Sequence, residues 1–240
     1  MIDTHAHLGD DAAEVLDRAR SAGVTRVIEV ATTIGAARET LARAEREPGV
    51  YACLGVHPHE AGSPGDLADL RALLAHPRVV AVGETGLDYY RDYAPRDAQQ
   101  RLFEQQLALA LELDKPVVVH TRAADDDTRA LLVEHRGTVI LHCFSSPPLL
   151  DAALEHGWYV SFAGNVTYKN AYDLRDCARR VPAGRLLVET DSPYLAPQAV
   201  RGRRNEPAFV GHTYDFLADL RGEDVRALAE ANASRAFGLE

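Results

Sequence analysis

Met1-Ile2-Asp3-Thr4-His5-Ala6-His7-Leu8 opens the chain, an apolar and β-branched run closing on two histidines set two apart. It reads as a short strand, Ile2–His7, and the segment after it reads as a helix. Ala12, Val15, Leu16 and Ala19 recur at helical spacing, with Asp10 or Asp11 placed to cap and Gly23 to stop. The unit then repeats. Further strands are expected at Arg26–Ala31, Tyr51–Val56, Val79–Glu84, Pro116–His120, Thr138–His142, Trp158–Phe162 and Leu186–Glu189. Amphipathic segments near Asp66–Ala75, Asp97–Leu113, Asp125–His135 and Pro148–His156 lie between them, and Glu223–Phe237 closes the chain. Eight strands with interleaved helices and no linker predict an α/β fold, a (β/α)8 TIM barrel forming a single domain over 1–240. An open doubly wound sheet is disfavoured, because no glycine-rich phosphate loop follows the first strand.

Composition narrows the class. At 240 residues, 46% hydrophobic and 26% charged, the chain can bury a sizeable core. No apolar run is long enough for a membrane span, and the N-terminus does not read as a signal peptide. The cysteines Cys53, Cys143 and Cys177 are odd in number and form no CxxC pair. They are expected as free thiols in a reducing compartment, the cytoplasm. A formal charge of −10 argues against a protein that coats nucleic acid, though not against one gripping a few phosphates through metal ions.

In a barrel of this kind the chemistry sits where the strands end. Six of the ten histidines fall at such places: His5 and His7, His57 and His59, His120, and His142. Glu84 ends the fourth strand, and Asp191 follows the eighth. Side chains two apart on a strand point the same way, so His5 and His7 share the mouth. Imidazoles mixed with carboxylates suit transition metals better than calcium. Two ions need a shared carboxylate, and Glu84 is the natural bridge. One ion is expected on His5, His7, Glu84 and Asp191, and the other on Glu84, His120 and His142. The chain's two lysines, Lys115 and Lys169, end neither strand four nor strand five, so no carbamylated lysine bridges the metals here.

Several motifs carry a resemblance. Asp3-Thr-His-Ala-His7, Gly55-Val-His-Pro-His59, Gly83-Glu-Thr-Gly-Leu-Asp-Tyr89, Val119-His-Thr-Arg122, His142-Cys-Phe144, Glu189-Thr-Asp-Ser-Pro-Tyr-Leu195 and Arg201-Gly-Arg-Arg-Asn-Glu-Pro207 occur in that order. Together they resemble the TatD-type metal-dependent deoxyribonucleases, a branch of the amidohydrolase-like barrels. The resemblance implies the liganding roles given above, phosphodiesterase activity on DNA, and two divalent ions, zinc (Zn), magnesium (Mg) or manganese (Mn). The expected substrate is DNA as short single strands or ends, and a monomer is the expected state.

The expected mechanism is metal-assisted hydrolysis, with Asp191 accepting a proton from the attacking water, Glu84 bridging, and His57 or an arginine stabilising the phosphate. Arg201 and Arg203, with Arg204, are candidate phosphate contacts or a plain surface cluster, Asn205 contacts the substrate or holds its loop, and Tyr89 and Tyr90 can either stack on a base or pack on the rim. Cys143 is expected to turn away from the mouth by strand alternation. The same scaffold also suits a competing activity, hydrolysis of an amide or ester bond, because fold and metals do not fix the substrate.

Overall fold

The structure is a computed structural model that describes residues 1–239 of the expected domain, leaving Glu240 outside. Its strands are β1 (Ile2–Ala6), β2 (Arg26–Ala31), β3 (Val50–Leu54), β4 (Val79–Asp88), β5 (Val117–Arg122), β6 (Val139–Leu141), β7 (Tyr159–Phe162) and β8 (Leu186–Val188). All pair in parallel, each with its successor in the chain. The ring closes between β1 and the segment after β8. There the Asp191 N–H donates to the His5 carbonyl (2.9 Å) and the His7 N–H to the Ser192 carbonyl (2.8 Å). The Thr190 amide and hydroxyl both donate to the Asp3 carboxyl, at 2.9 and 2.6 Å. This is the (β/α)8 barrel that the repeating pattern predicts.

Among the described residues nine α-helices surround the ring: α1 (Ala12–Ser21), α2 (Ile34–Arg46), α3 (Leu67–Leu74), α4 (Arg96–Glu112), α5 (Asp125–Val133), α6 (Leu150–Glu155), α7 (Tyr172–Arg180), α8 (Val210–Arg221) and α9 (Val225–Phe237). α1 buries the four apolar residues expected of it. Asp11 stands at its N-cap position but makes no capping hydrogen bond, because its carboxylate pairs with Arg204. α2, α7 and α8 lie outside the expected helical segments. The buried face of α2, Ala37, Thr40, Leu41 and Ala44, is at helical spacing, and α7 buries only Cys177 and Ala178. Val210, Thr213, Tyr214 and Leu217 of α8 also carry a helical spacing.

Two apolar layers follow from strand alternation. Ile28, Val30, Cys53, Val118, Ile140 and Leu187 fill the barrel interior together with Ala233, Ala236 and Phe237 of α9, which covers the end where the strands begin. Asn232 fixes that helix by donating to the carbonyls of Ala183 (2.7 Å) and Leu186 (2.8 Å). Lys115 is spent at the same end, its ammonium on the Val79 carbonyl (2.5 Å). No helix among the described residues is long and apolar enough to cross a membrane.

The largest departure from the expected strands is at β4, which runs four residues past Glu84 to Asp88. Its register against β5 shifts between Val82 and Thr85, a bulge of the kind that re-aims a side chain beside a site. Close approach demands the glycine just beyond it: Gly86 has φ +134°, and a Cβ there would stand 2.0 Å from the His120 carbonyl oxygen.

Candidate metal centre

Two buried glutamines of α4 hold the loops that present the site. Gln106 accepts from the Val56 amide (2.8 Å) and donates to the Val56 carbonyl (2.9 Å) and the Thr85 hydroxyl (2.6 Å), which fixes the backbone on either side of His57 and Glu84. Gln99 accepts from the Asp88 amide (2.8 Å) and donates to the Asp88 carbonyl (3.2 Å). Neither residue carries chemistry, and neither stands out in the sequence.

Glu84 is the centre of the arrangement, buried, with its two carboxylate oxygens facing different partners. Oε2 faces His5 Nε2 (3.5 Å) and His7 Nε2 (3.6 Å). Oε1 faces His142 Nε2 (2.8 Å), His120 Nδ1 (3.0 Å) and His57 Nε2 (3.4 Å). On the first side His5 and His7 stand 3.3 Å apart through Nε2. Asp191 Oδ1 completes that set at 4.0 and 3.7 Å from the two histidines. Bonds of about 2.0–2.2 Å in tetrahedral geometry put neighbouring donors about 3.3–3.6 Å apart. The His5, His7 and Glu84 donors match that spacing, and Asp191 stands slightly wider.

The outer nitrogens of the imidazoles show which can bind an ion. His7 Nδ1 lies 3.0 Å from the Val30 carbonyl, so it carries the proton and Nε2 points its lone pair inward. His142 Nδ1 lies 3.2 Å from Glu189 Oε1, with the same effect. His120 Nε2 lies 3.2 Å from Asp88 Oδ2, which leaves Nδ1 for the Glu84 side. His57 is different. Its Nδ1 accepts the His59 amide (3.1 Å), so the neutral ring carries its proton on Nε2 and faces the site as a donor. That suits contact with a phosphate oxygen better than ligation.

Electrostatics separate the same groups. Burial alone would push the Glu84 carboxyl up, but the charges of His142 and His57 and hydrogen bonds from His120 and His142 hold it well below the usual range. Burial opposes charge on His142 and His120 as well. The Glu84 charge overcomes it for His142, and hydrogen bonds to Asp88 and Glu84 do so for His120, so both are raised. His5, His7 and His57 are lowered chiefly by burial. Burial pushes Asp191 up to about 6.

Asp88 and Glu189 are parts of the site that the sequence reading left without roles. Asp88 Oδ2 meets both His59 Nε2 (2.9 Å) and His120 Nε2 (3.2 Å), while Oδ1 accepts the amides of Tyr90 (3.0 Å) and Arg91 (2.9 Å). Burial raises its pKa, and the His120, Arg91 and His59 hydrogen bonds outweigh that and hold it low. Strand alternation carried two steps beyond Glu84, through residue 86 to 88, locates it. Glu189 accepts from the Cys143 amide (2.8 Å) as well as facing His142.

Two expectations need correction, those on Cys143 and on Asn205 as a substrate contact. Cys143 does not turn away: β6 ends at Leu141, Cys143 has φ +42°, and its thiol lies against Asp191. Asn205 is buried and spent on its own loop, donating to the carbonyls of Thr190 (2.9 Å) and Tyr194 (2.6 Å) and accepting from the Glu206 amide (3.0 Å). It has no donor left for a substrate. Arg201 and Arg203 are not drawn to the carboxylates. Arg201 lies over the Tyr168 ring (4.1 Å) and Arg203 over the Phe209 ring (4.5 Å). Of the two tyrosines read as rim or stacking residues, Tyr89 packs partly buried and donates to Asp127 (2.7 Å), while Tyr90 is exposed.

Comparison with known proteins agrees with this geometry. The hydrolase YcfH of Escherichia coli, named as metal-dependent, is 42% identical over 256 residues, covering 100% of this chain and 96% of its own. A protein of Salmonella typhimurium named 3'-5' ssDNA/RNA exonuclease TatD is 36% identical over 248 residues, with 98% and 95% covered. The crystal structure of YJJV, a TatD homologue from Escherichia coli, superposes with a TM-score of 0.91 at 32% identity, covering 100% of this chain and 98% of that one. Residues 2–238 match the family described as TatD related DNase. The chain is therefore a member of the TatD-related family of metal-dependent hydrolases.

Proposed function

We propose that this chain is a two-metal phosphodiesterase acting on DNA, with short single strands or strand ends as substrate. The observation that supports it is Glu84, whose two oxygens face two separate donor sets. One ion would be held by His5, His7, Glu84 and Asp191, and the other by Glu84, His120 and His142. This imidazole and carboxylate mixture suits zinc or manganese, and magnesium is the oxygen-preferring alternative. Two such ions supply an activated water and offset charge on a phosphate. Asp191, whose Oδ1 lies beside His5 and His7, would accept the proton of that water. His57 presents an Nε2–H to the phosphate, fixed by the His59 amide. The exonuclease named among the relatives agrees with a nucleic acid substrate. The three unpaired thiols agree with a reducing compartment, and we place the protein in the cytoplasm.

The test is a panel of single-stranded DNA, duplex DNA, RNA, a chromogenic phosphodiester and a set of amides and acyl esters at matched metal. Wild type should cleave single-stranded DNA best, and Glu84→Ala or Asp191→Ala should abolish that cleavage. Faster turnover of an amide or acyl ester than of any phosphodiester would refute the reading, as would retained activity in Glu84→Ala.

A further inference from the structure

Exposed aromatic rings in this protein are concentrated at one end. Among the described residues, five large hydrophobic side chains are exposed: Tyr90 (64%), Tyr93 (65%), Leu111, Tyr172 and Tyr194 (63%). All four tyrosines lie on segments that follow strand ends, namely Tyr90 and Tyr93 after β4, Tyr172 at the start of α7 after β7, and Tyr194 after β8. Tyr93 and Tyr194 stand directly against histidines of the mouth. None is needed for the core.

Two of these rings bracket the donor sets. Tyr194 meets His7 edge-on at 6.4 Å between ring centroids, beside the set that includes Asp191. Tyr93 meets His59 edge-on at 4.8 Å, beside the set that Asp88 supports. Each ring leaves most of its surface to solvent. Next to Tyr93, Tyr90 is covered on one face by the Arg122 guanidinium at 4.0 Å, which adds a positive charge to an otherwise acidic chain. A rigid ring with an open face beside a phosphate site takes an unpaired base by stacking, whatever the base. Paired bases already stack on one another and present only edges and backbone.

We propose that Tyr93 and Tyr194 are base-stacking platforms on either side of the scissile phosphodiester, and that they make the enzyme select unpaired nucleotides. This rests on the phosphodiesterase reading and deepens it. The two platforms engage the nucleotides flanking the bond, so a strand without bases gains nothing from them.

The experiment compares wild type with Tyr93→Ala, Tyr194→Ala, the double variant and the matching Phe variants. The substrates are an end-labelled oligodeoxythymidine, the same strand annealed to its complement, and an abasic strand of equal length. Each Ala variant should raise KM on the single strand about tenfold, with kcat changed less than about threefold. Phe should restore KM, and the abasic strand should be cleaved equally by wild type and all variants. Melting temperature and metal content should not change, since the rings are exposed. Unchanged KM in the double variant overturns the proposal, as does an equal loss on the abasic strand or equal cleavage of duplex and single strand by wild type. Those outcomes leave the phosphodiesterase reading standing, whereas wild type inert on every strand overturns both.

Discussion

Asp88→Asn is the most discriminating perturbation, because it removes one charge without removing a side chain. The Oδ1 position faces two backbone N–H groups, of Tyr90 and Arg91, so the amide oxygen must take that side. The amide nitrogen then faces the Nε2 atoms of His59 and His120, and donor meets donor. His120 resolves the conflict by moving its proton to Nδ1, the atom 3.0 Å from Glu84 Oε1. An imidazole protonated there cannot ligate an ion. Losing such a supporting carboxylate costs roughly ten- to a hundredfold in metal affinity, about 1.4–2.7 kcal/mol. The loss should fall on the Glu84–His120–His142 side alone, since His7 is oriented independently by the Val30 carbonyl. Titration against a chromophoric chelator should therefore show one ion bound as in wild type and one weakened, with hydrolysis reduced in proportion. His59→Ala keeps the Asp88–His120 contact and should weaken the same ion less than about threefold. Two ions retained at wild-type affinity in Asp88→Asn would falsify the assignment of Asp88 as the group that fixes the His120 tautomer.

Other perturbations test the scaffold. Burial raises Glu29 to about 7, offset in part by Arg43, so the folded state keeps a proton that the unfolded chain releases near 4.5. Its contribution to stability is full below about pH 4.5 and declines as pH rises to 7, by at most about 3 kcal/mol. Urea midpoints should accordingly move in favour of Glu29→Gln over wild type between pH 5 and 8, and a constant difference would count against this. Gly86→Ala drives a Cβ onto the His120 carbonyl at a positive φ and should cost more than about 4 kcal/mol, lowering the melting temperature by about 10 °C or leaving no soluble protein. Asn205→Ala strips partners from the Thr190 and Tyr194 carbonyls and should cost about 2–3 kcal/mol in denaturant titrations while leaving KM within about twofold.

The order of the eight strands was legible because each is a short β-branched run followed by a turn, and parallel strands buried on both faces need that composition. His5, His7, Glu84, His120, His142 and Asp191 were legible because chemistry-bearing residues stand at strand ends, where a packing residue would otherwise be expected. The supports were harder to read. Asp88 looked like a loop residue because the bulge at Gly83 and Glu84 lets β4 continue where a regular strand would have ended. Cys143 escaped alternation through a positive φ that its sequence does not announce. Asn205 belongs to a motif that reads as substrate-binding, and only the closed loop shows its amide already engaged. Gln99 and Gln106 act at a distance of many residues, through contacts that no local pattern encodes.

The seam of the ring has a consequence for synthesis. Asp3 and Thr190, 187 positions apart, are joined across it, and His5 and His7, at the end of β1 and just past it, face Asp191 from the opposite side. A ribosome emits His5 and His7 first, Glu84 later and Asp191 only after most of the chain. A nascent or prematurely terminated chain that lacks residue 191 holds His5 and His7 with no partner across the gap. On the proposed donor set, hydrolytic competence should arrive only with a complete ring. A cut that frees β1 should abolish activity even where most of the fold survives, so turnover reports the integrity of the whole circle.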